Sequence, residues 1–171
     1  MNKKLLLTTS AAIASASIYS FSGLAVAATD TATVRVVQAI SIADASTQLN
    51  FGDIVSTAGA ETVIVTPGNV FNGGSLTPTG SPSRAVFSVD GEDGKSYAVT
   101  VPASVTLTET LVGTATMTAN AFTYDGGNGV GVSGTVTNGG APLYIGATLN
   151  VGINQASGTY NGVYNVTVAY D

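Results

Sequence analysis

The sequence predicts an all-β protein built as an antiparallel β-sandwich. Apolar and polar residues alternate at period two along most of the chain, and the strand-favouring residues Thr and Val are abundant. Gly, Pro, Asn and Asp interrupt these runs at short intervals, as turns do in antiparallel sheets. No stretch shows the 3.6-residue period of an amphipathic helix. Together these observations predict one domain made of two packed sheets.

Nine strands are predicted, each a run of alternating or β-branched residues that ends at a turn signal. In chain order, the predicted strands span residues 31–42, 48–54, 61–66, 84–89, 96–101, 114–124, 131–137, 143–151 and 159–170.

The breaks between these runs contain the glycines and asparagines that tight turns need. The acidic run 90–94 lies between two alternating runs and lacks most of the ligand pattern of a calcium loop, so it predicts a hairpin turn. The pair Asn161-Gly162 is also typical of a hairpin turn. Because it lies within the alternating run 159–170, we interpret that run as one strand all the same.

Residues 1–27 are predicted to be a signal peptide. Two lysines precede an apolar stretch rich in Ala and Ser that ends in A-V-A at residues 25–27, a small-residue cleavage site. The stretch is long enough for a retained membrane helix, but its many Ser and Thr residues and the A-x-A ending favour cleavage. The mature chain is expected to start at Ala28 or Thr29 and to contain no membrane span.

The composition of the mature chain argues against several classes of function. Of five basic residues two lie in the signal peptide, so 3 − 10 gives a net charge of about −7, which disfavours nucleic acid and anionic lipid as partners. The chain has no Cys and no His, which removes the Ser/His/Asp and Cys/His catalytic sets and the zinc sites built on these residues. The acids are scattered, and few aromatic residues could line a sugar cleft. We expect a protein that is not an enzyme and binds no cofactor or metal.

The last predicted strand places its aromatic and apolar residues on one face, because alternate strand residues point to opposite sides. The sequence ends one residue after this strand, so its free edge is expected to be open to a partner. A core strand that closes a complete sandwich would show the same pattern. The predicted core face consists of Tyr160, Gly162, Tyr164, Val166, Val168 and Tyr170.

The first predicted strand lies directly behind the cleavage site, within an N-terminal extension of residues 28–42. Its apolar residues share one register that only Gln38 interrupts. The segment is either the first strand of its own sandwich or an extension that completes another molecule by strand addition. The residues in this register are Ala32, Val34, Val36, Ile40 and Ile42.

Both ends resemble the chaperone–usher pilus subunits, in particular the archaic branch related to the spore-coat U domain. Gly158 is the fourteenth residue from the end and Tyr170 is penultimate, with alternating apolar residues between them. The segments L-Y-I-G at 143–146 and L-N-F-G at 49–52 also look like segments of that family, and 31–42 looks like its donor extension. The spacing also resembles a broad group of secreted bacterial proteins known only as a domain of unknown function.

The resemblance implies an immunoglobulin-like sandwich over residues 28–171, completed by a donated N-terminal strand. It implies a subunit of a bacterial surface fibre, a pilus or fimbrium that serves cell adhesion, formed as a homopolymer. A periplasmic chaperone and an outer-membrane usher would be partners, and the protein would pass through the periplasm to the surface of a Gram-negative cell. The disulfide that is usual in such subunits is absent. The alternative is a self-contained, monomeric surface or matrix protein.

The resemblance also implies which residues meet a neighbouring subunit. They belong to the two end strands, one donating side chains and the other forming the edge that receives them. The expected subunit-interaction residues are Ala32, Val34, Val36, Ile40, Ile42, Tyr160, Tyr164, Val166, Val168 and Tyr170.

Overall fold

The computed structural model describes residues 27–72, 76–111 and 113–171. The predicted signal peptide, apart from Ala27, lies outside the described residues. The chain divides into two units, Met1–Arg35 and Val36–Asp171. The described part of the first unit has no regular secondary structure and is exposed. All of the strands belong to the second unit.

The regular secondary structure of the described residues is entirely β-strand, and every pairing is antiparallel. The strands are β1 (Ser41–Thr47), β2 (Glu61–Val65), β3 (Phe71–Asn72), β4 (Ala85–Asp90), β5 (Ser96–Thr100), β6 (Ser104–Glu109), β7 (Thr116–Asp125), β8 (Gly134–Thr135), β9 (Ala141–Val151), β10 (Tyr160–Asn161) and β11 (Thr167–Tyr170).

The large sheet is organised around β9, in the order β1–β4–β9–β7–β6–β10, with β2 pairing the second half of β9 and β3 pairing β2. β9 contributes to the core along its whole length, because its alternate residues are apolar and point to the same face of the sheet. A side chain at Gly146 would collide with the Val65 carbonyl, so this position must be glycine where β2 ends against β9. The inward residues of β9 are Ala141, Leu143, Ile145, Ala147, Leu149 and Val151, all buried.

A second sheet, in the order β11–β5–β8, covers one half of the large sheet. Tyr97 of β5 is fully buried, in one cluster with Val89 of β4 and with Leu143 and Ile145 of β9. Packing of this kind removes apolar surface of both sheets from water, which is the main stabilising contribution in such folds. The predicted all-β antiparallel sandwich is therefore confirmed.

The other half of the large sheet is covered by residues 48–54 rather than by a sheet. Phe51 is buried there, in one cluster with Val63 of β2, Ala119 of β7 and Leu149 of β9. The predicted strand at 48–54 forms only isolated bridges to residues 79–83, Asn50 with Ser83 and Asp53 with Thr79. The second layer of the sandwich is thus thinner over this half than over the other.

Five predicted strands match β2, β4, β5, β7 and β9 with ends shifted by no more than two residues. The strand predicted for 31–42 is found only at its last two residues, where Ser41 and Ile42 pair with β4, because residues 31–40 meet no partner strand among the described residues. The predicted strand 131–137 is reduced to β8. Strand β6 lies where the sequence predicts none, and its pairing with β7 holds it extended.

The acidic run 90–94 forms a turn, as predicted, but not a hairpin turn. The strands on either side of it, β4 and β5, belong to different sheets and do not pair with each other. The turn therefore carries the chain from one layer of the sandwich to the other. Its glycine Gly94 has a φ of 75°, a conformation that suits glycine.

Candidate functional site

The N-terminal segment separates the predicted interaction residues into two groups. Ala32, Val34 and Val36 are exposed, the two valines at 88% and 87%. Ile40 and Ile42 are half-buried and pack against the cluster between the two sheets. Although all five share one register in the sequence, only the first three present their side chains to solvent.

The C-terminal stretch shows the alternation predicted from its sequence. The side chains of the other face, such as Val163 and Thr167, are exposed. The stretch is not one strand, however, since β10 and β11 are separated by residues 162–166. The half-buried residues that alternate with the exposed ones are Tyr160, Tyr164, Val166, Val168 and Tyr170.

Gly162 explains why Asn161-Gly162 makes no hairpin turn. Asn161 pairs with Thr108 of β6, and a Cβ at Gly162 would lie 2.6 Å from the Thr106 carbonyl oxygen. Glycine is needed here for close approach to β6 and not for a positive φ angle. The chain then leaves the large sheet and enters the second sheet as β11, which pairs with β5.

Residues 163–166 present an unpaired backbone where the chain passes from one sheet to the other. Among the described residues, none of their N–H or C=O groups bonds to the backbone of another segment. Val163 is 92% exposed. Past this stretch, β11 pairs with β5 on one side, and no described strand pairs with its other side. An unpaired edge of this kind can accept a further strand.

A groove of about 980 Å³ opens over the thinly covered half of the large sheet. Residues 46–56 form one wall and residues 155–161 form the other. The backbone groups of Leu49 and Phe51 make no backbone hydrogen bond with another described residue. We call this feature the core groove, and its floor consists of Leu107, Met117, Leu149 and Val151.

Glu109, at the end of β6, fixes one wall of the core groove. Its buried carboxylate accepts hydrogen bonds from the backbone N–H groups of Leu111 at 2.9 Å and Gly113 at 3.2 Å. Gly158 lies so close that a Cβ there would be 2.6 Å from Glu109 Cγ. Backbone pairing of Tyr160 with Glu109, and a hydrogen bond of 2.9 Å from the Thr110 N–H to the Thr159 carbonyl oxygen, hold the wall at 155–161 to the end of β6.

Tyr164 lies beside the core groove, near Leu49 and Leu107, which also line that groove. With Leu49, Leu107 and Gly162 it lines a small further cavity of about 40 Å³, and its ring centroid is 5.2 Å from that of Phe122. Burial, with a smaller contribution from the Asp44 carboxylate, raises the pKa of Tyr164 to about 12. Burial thus favours the neutral form of this hydroxyl.

The core groove combines an apolar floor with backbone groups that have no described backbone partner. The floor can contact the alternate side chains of an extended segment. Backbone groups without a described partner, in the wall at 46–56 and in residues 163–166, are available for strand pairing. Sequence reasoning missed the floor residues Leu107 and Met117. The alternation of Val105 and Leu107 with Ser and Thr in β6 is a short signal that could have indicated them.

The described part of the chain contains neither a metal-binding cluster nor a helix that could cross a membrane. No group of three or more His, Cys, Asp or Glu side chains is placed to hold a metal ion there. The same residues include no helix of the length and hydropathy needed to cross a membrane.

Comparison with known proteins identifies one family. Residues 40–170 match the model of the Domain of unknown function (DUF4402) family. Searches of curated proteins and of solved structures gave no significant match. The matched region begins at Ile40 and contains all eleven strands and both walls of the core groove. The chain therefore belongs to the DUF4402 family.

Proposed function

We propose that this protein is a structural, non-enzymatic subunit of a bacterial surface fibre. In this proposal, residues 31–37 of one copy add as a strand to the core groove of the next copy, so that the fibre is a homopolymer. The resemblance of both chain ends to pilus subunits supports this proposal, as does the signal peptide predicted by the sequence. A periplasmic chaperone and an outer-membrane usher would then be its partners during export.

The observation that carries the proposal is that one chain has both an alternating apolar segment outside any described strand and a strand edge that pairs with no described strand. Ala32, Val34 and Val36 alternate in an exposed segment that has no regular structure. In the core groove, Leu107 and Met117 are partly exposed, and the backbone groups of Leu49 and Phe51 bond to no described backbone group. A segment of one copy that binds in the groove of another would gain a partner strand and would cover the open edge of the groove.

The energetics require backbone pairing as well as side-chain burial. Burying Val34 and Val36 contributes about 1.5 to 3 kcal/mol each, or roughly 3 to 6 kcal/mol gross. Association costs about 4 to 15 kcal/mol, so these side chains alone do not form a stable joint. Hydrogen bonds from the donated strand to Leu49, Phe51 and residues 163–166 would add about 0.5 to 1.5 kcal/mol each. The open backbone on the groove is therefore as important to the proposal as its apolar floor.

A self-contained monomer is the second candidate, and a specific observation favours it. Ile40 and Ile42 pack into the chain's own core, and Ile42 pairs with Val89 of β4. The domain thus already uses part of the predicted donor segment for itself. Under this alternative, residues 31–37 would be a plain N-terminal tail and the core groove would remain open.

The two candidates predict different behaviour of the mature protein in solution. We expect the wild type to form concentration-dependent oligomers that resist dilution, and Val36→Asp to remain a folded monomer, because the groove would have to bury an unpaired charge. Thr33→Asp is the matched control, since it adds the same charge on the opposite face of the segment and should still assemble. Light scattering after size exclusion measures both. If the wild type stays monomeric at high concentration, strand donation is rejected and the self-contained monomer remains as the candidate.

A further inference from the structure

Gln38, the residue that interrupts the N-terminal alternation, is held by two side chains of its own domain. Its backbone N–H donates to Glu92 Oε2 at 3.1 Å, and its carbonyl oxygen accepts a hydrogen bond from Tyr170 Oη at 2.9 Å. In an extended chain the N–H and C=O of one residue point to the same side. No neighbouring strand can therefore pair with Gln38 on that side.

Tyr170 connects this segment to the turn between the two sheets. Its Oη also accepts a hydrogen bond from the Glu92 backbone N–H at 2.6 Å, so one hydroxyl joins both chain segments. Gly91 makes room for it, because a side chain there would collide with the Tyr170 hydroxyl and would lie 3.3 Å from the Ile40 Cα. We call the contact among Gln38, Glu92 and Tyr170 the clasp.

The exposure of the side chains changes at the clasp. On one side of it, Val36 is exposed, and on the other side Ile40 packs against the core between the sheets. The DUF4402 match also begins at Ile40. The register of apolar residues continues through this point, so the sequence pattern does not show where the domain's own strand begins.

We propose that the clasp sets the base of the N-terminal segment, so that only Ala32, Val34 and Val36 are presented to a second copy, in one fixed register. This inference rests on the proposed function and deepens it. Tyr170 and Glu92 act as positioning residues. They hold the point from which the donated strand extends, and Ile40 and Ile42 stay in their own domain.

Cysteine cross-linking tests the register, because the natural chain has no cysteine. One cysteine is placed in the groove wall as Asn161→Cys, and a second replaces Ala32, Val34 or Val36 in turn. In the otherwise unchanged protein we expect one donor position to give at least about fivefold more cross-linked product than the others, since a fixed register places one residue opposite the wall. When Tyr170→Phe is added, the three donor positions should give similar amounts of cross-linked product.

Hydrogen exchange gives a second measurement on the same full-length mature chains. Tyr170→Phe should raise the exchange rate of the Gln38 amide about tenfold and leave β2 unchanged, because only the base of the segment is released. Tyr124→Phe is the control, since no hydrogen bond of its hydroxyl is found among the described residues. Glu92→Ala removes the other side-chain contact of Gln38 and should have the same effect as Tyr170→Phe. It replaces Tyr170→Phe in the experiment if Tyr170→Phe does not fold.

The outcomes separate the clasp from strand donation. If Tyr170→Phe and Glu92→Ala cross-link at the same preferred donor position as the parent protein, the clasp proposal is wrong. Cross-linking of the parent without a preferred position would also overturn it while strand donation stands. No cross-linking at any donor position would reject strand donation, and the clasp proposal would fail with it.

Discussion

Gly158 lies directly against Glu109, and this contact joins the loop after β9 to the end of β6. A Cβ at Gly158 would be 2.6 Å from Glu109 Cγ and 2.8 Å from Oε1. The resemblance to pilus subunits singles out Gly158 by its distance from the chain end. The structure gives that glycine a physical reason, since it leaves room for a buried carboxylate that accepts hydrogen bonds from two backbone amides.

The first prediction follows from this contact. Gly158→Ala should lower the free energy of unfolding by about 1 to 3 kcal/mol, because the added methyl group forces the Glu109 side chain or the groove wall to move. Gly59→Ala is the matched control. A Cβ there would have no heavy atom nearer than 3.9 Å, so it should cost less than about 0.5 kcal/mol. Urea denaturation of both variants measures the difference, and equal midpoints would contradict this account of Gly158.

The second prediction concerns stability at alkaline pH. The pKa of Tyr164 is raised in the fold from 10.0 to about 12, first by burial and then by Asp44. As pH rises from 10 to 12 the unfolded chain releases this proton before the folded chain does, so stability is full below pH 10 and falls through this window. The loss attributable to Tyr164 should be at most about 3 kcal/mol, since each unit of pKa shift corresponds to about 1.4 kcal/mol. Tyr164→Phe should lose less stability over the same window, and an identical loss would contradict the prediction.

The third prediction tests the register of the last stretch. Val166 is half-buried against the core between the sheets, whereas Thr167 is exposed. Val166→Ala should therefore destabilise the domain by about 1 to 2 kcal/mol, less than a fully buried position would, and Thr167→Ala should cost below about 0.5 kcal/mol. Thermal or urea unfolding compares the two. A larger effect at Thr167 would mean that the inward face is displaced by one residue.

The fourth prediction concerns export. We expect N-terminal sequencing of secreted protein to find Ala28 or Thr29 as the first residue, because small residues at 25–27 form the cleavage site. Replacing Ala27 with Arg should block cleavage, since a large charged residue does not fit such a site. Membrane-bound protein that starts at Met1 would contradict the prediction.

The sequence by itself determined the fold class and five of the eleven described strands. Period-two alternation and turn residues act locally, so they predicted β2, β4, β5, β7 and β9 to within two residues. The same alternation correctly separated the half-buried side chains of the last stretch, such as Val166, from exposed ones such as Val163. These features follow from the chain's own pattern and need no information about its neighbours.

Only the tertiary structure decided which segments have partners. The residues of the N-terminal register look alike in sequence, yet Val36 is exposed and Ile40 is packed, because the bonds of Gln38 to Tyr170 and Glu92 divide them. The core groove is a similar case, since its floor and walls come from β6, β7, β9 and two loops far apart in the chain. A strand's pairing and burial depend on what lies beside it in space. The pattern along the chain therefore predicted the strands, and the fold decided which edges stay open.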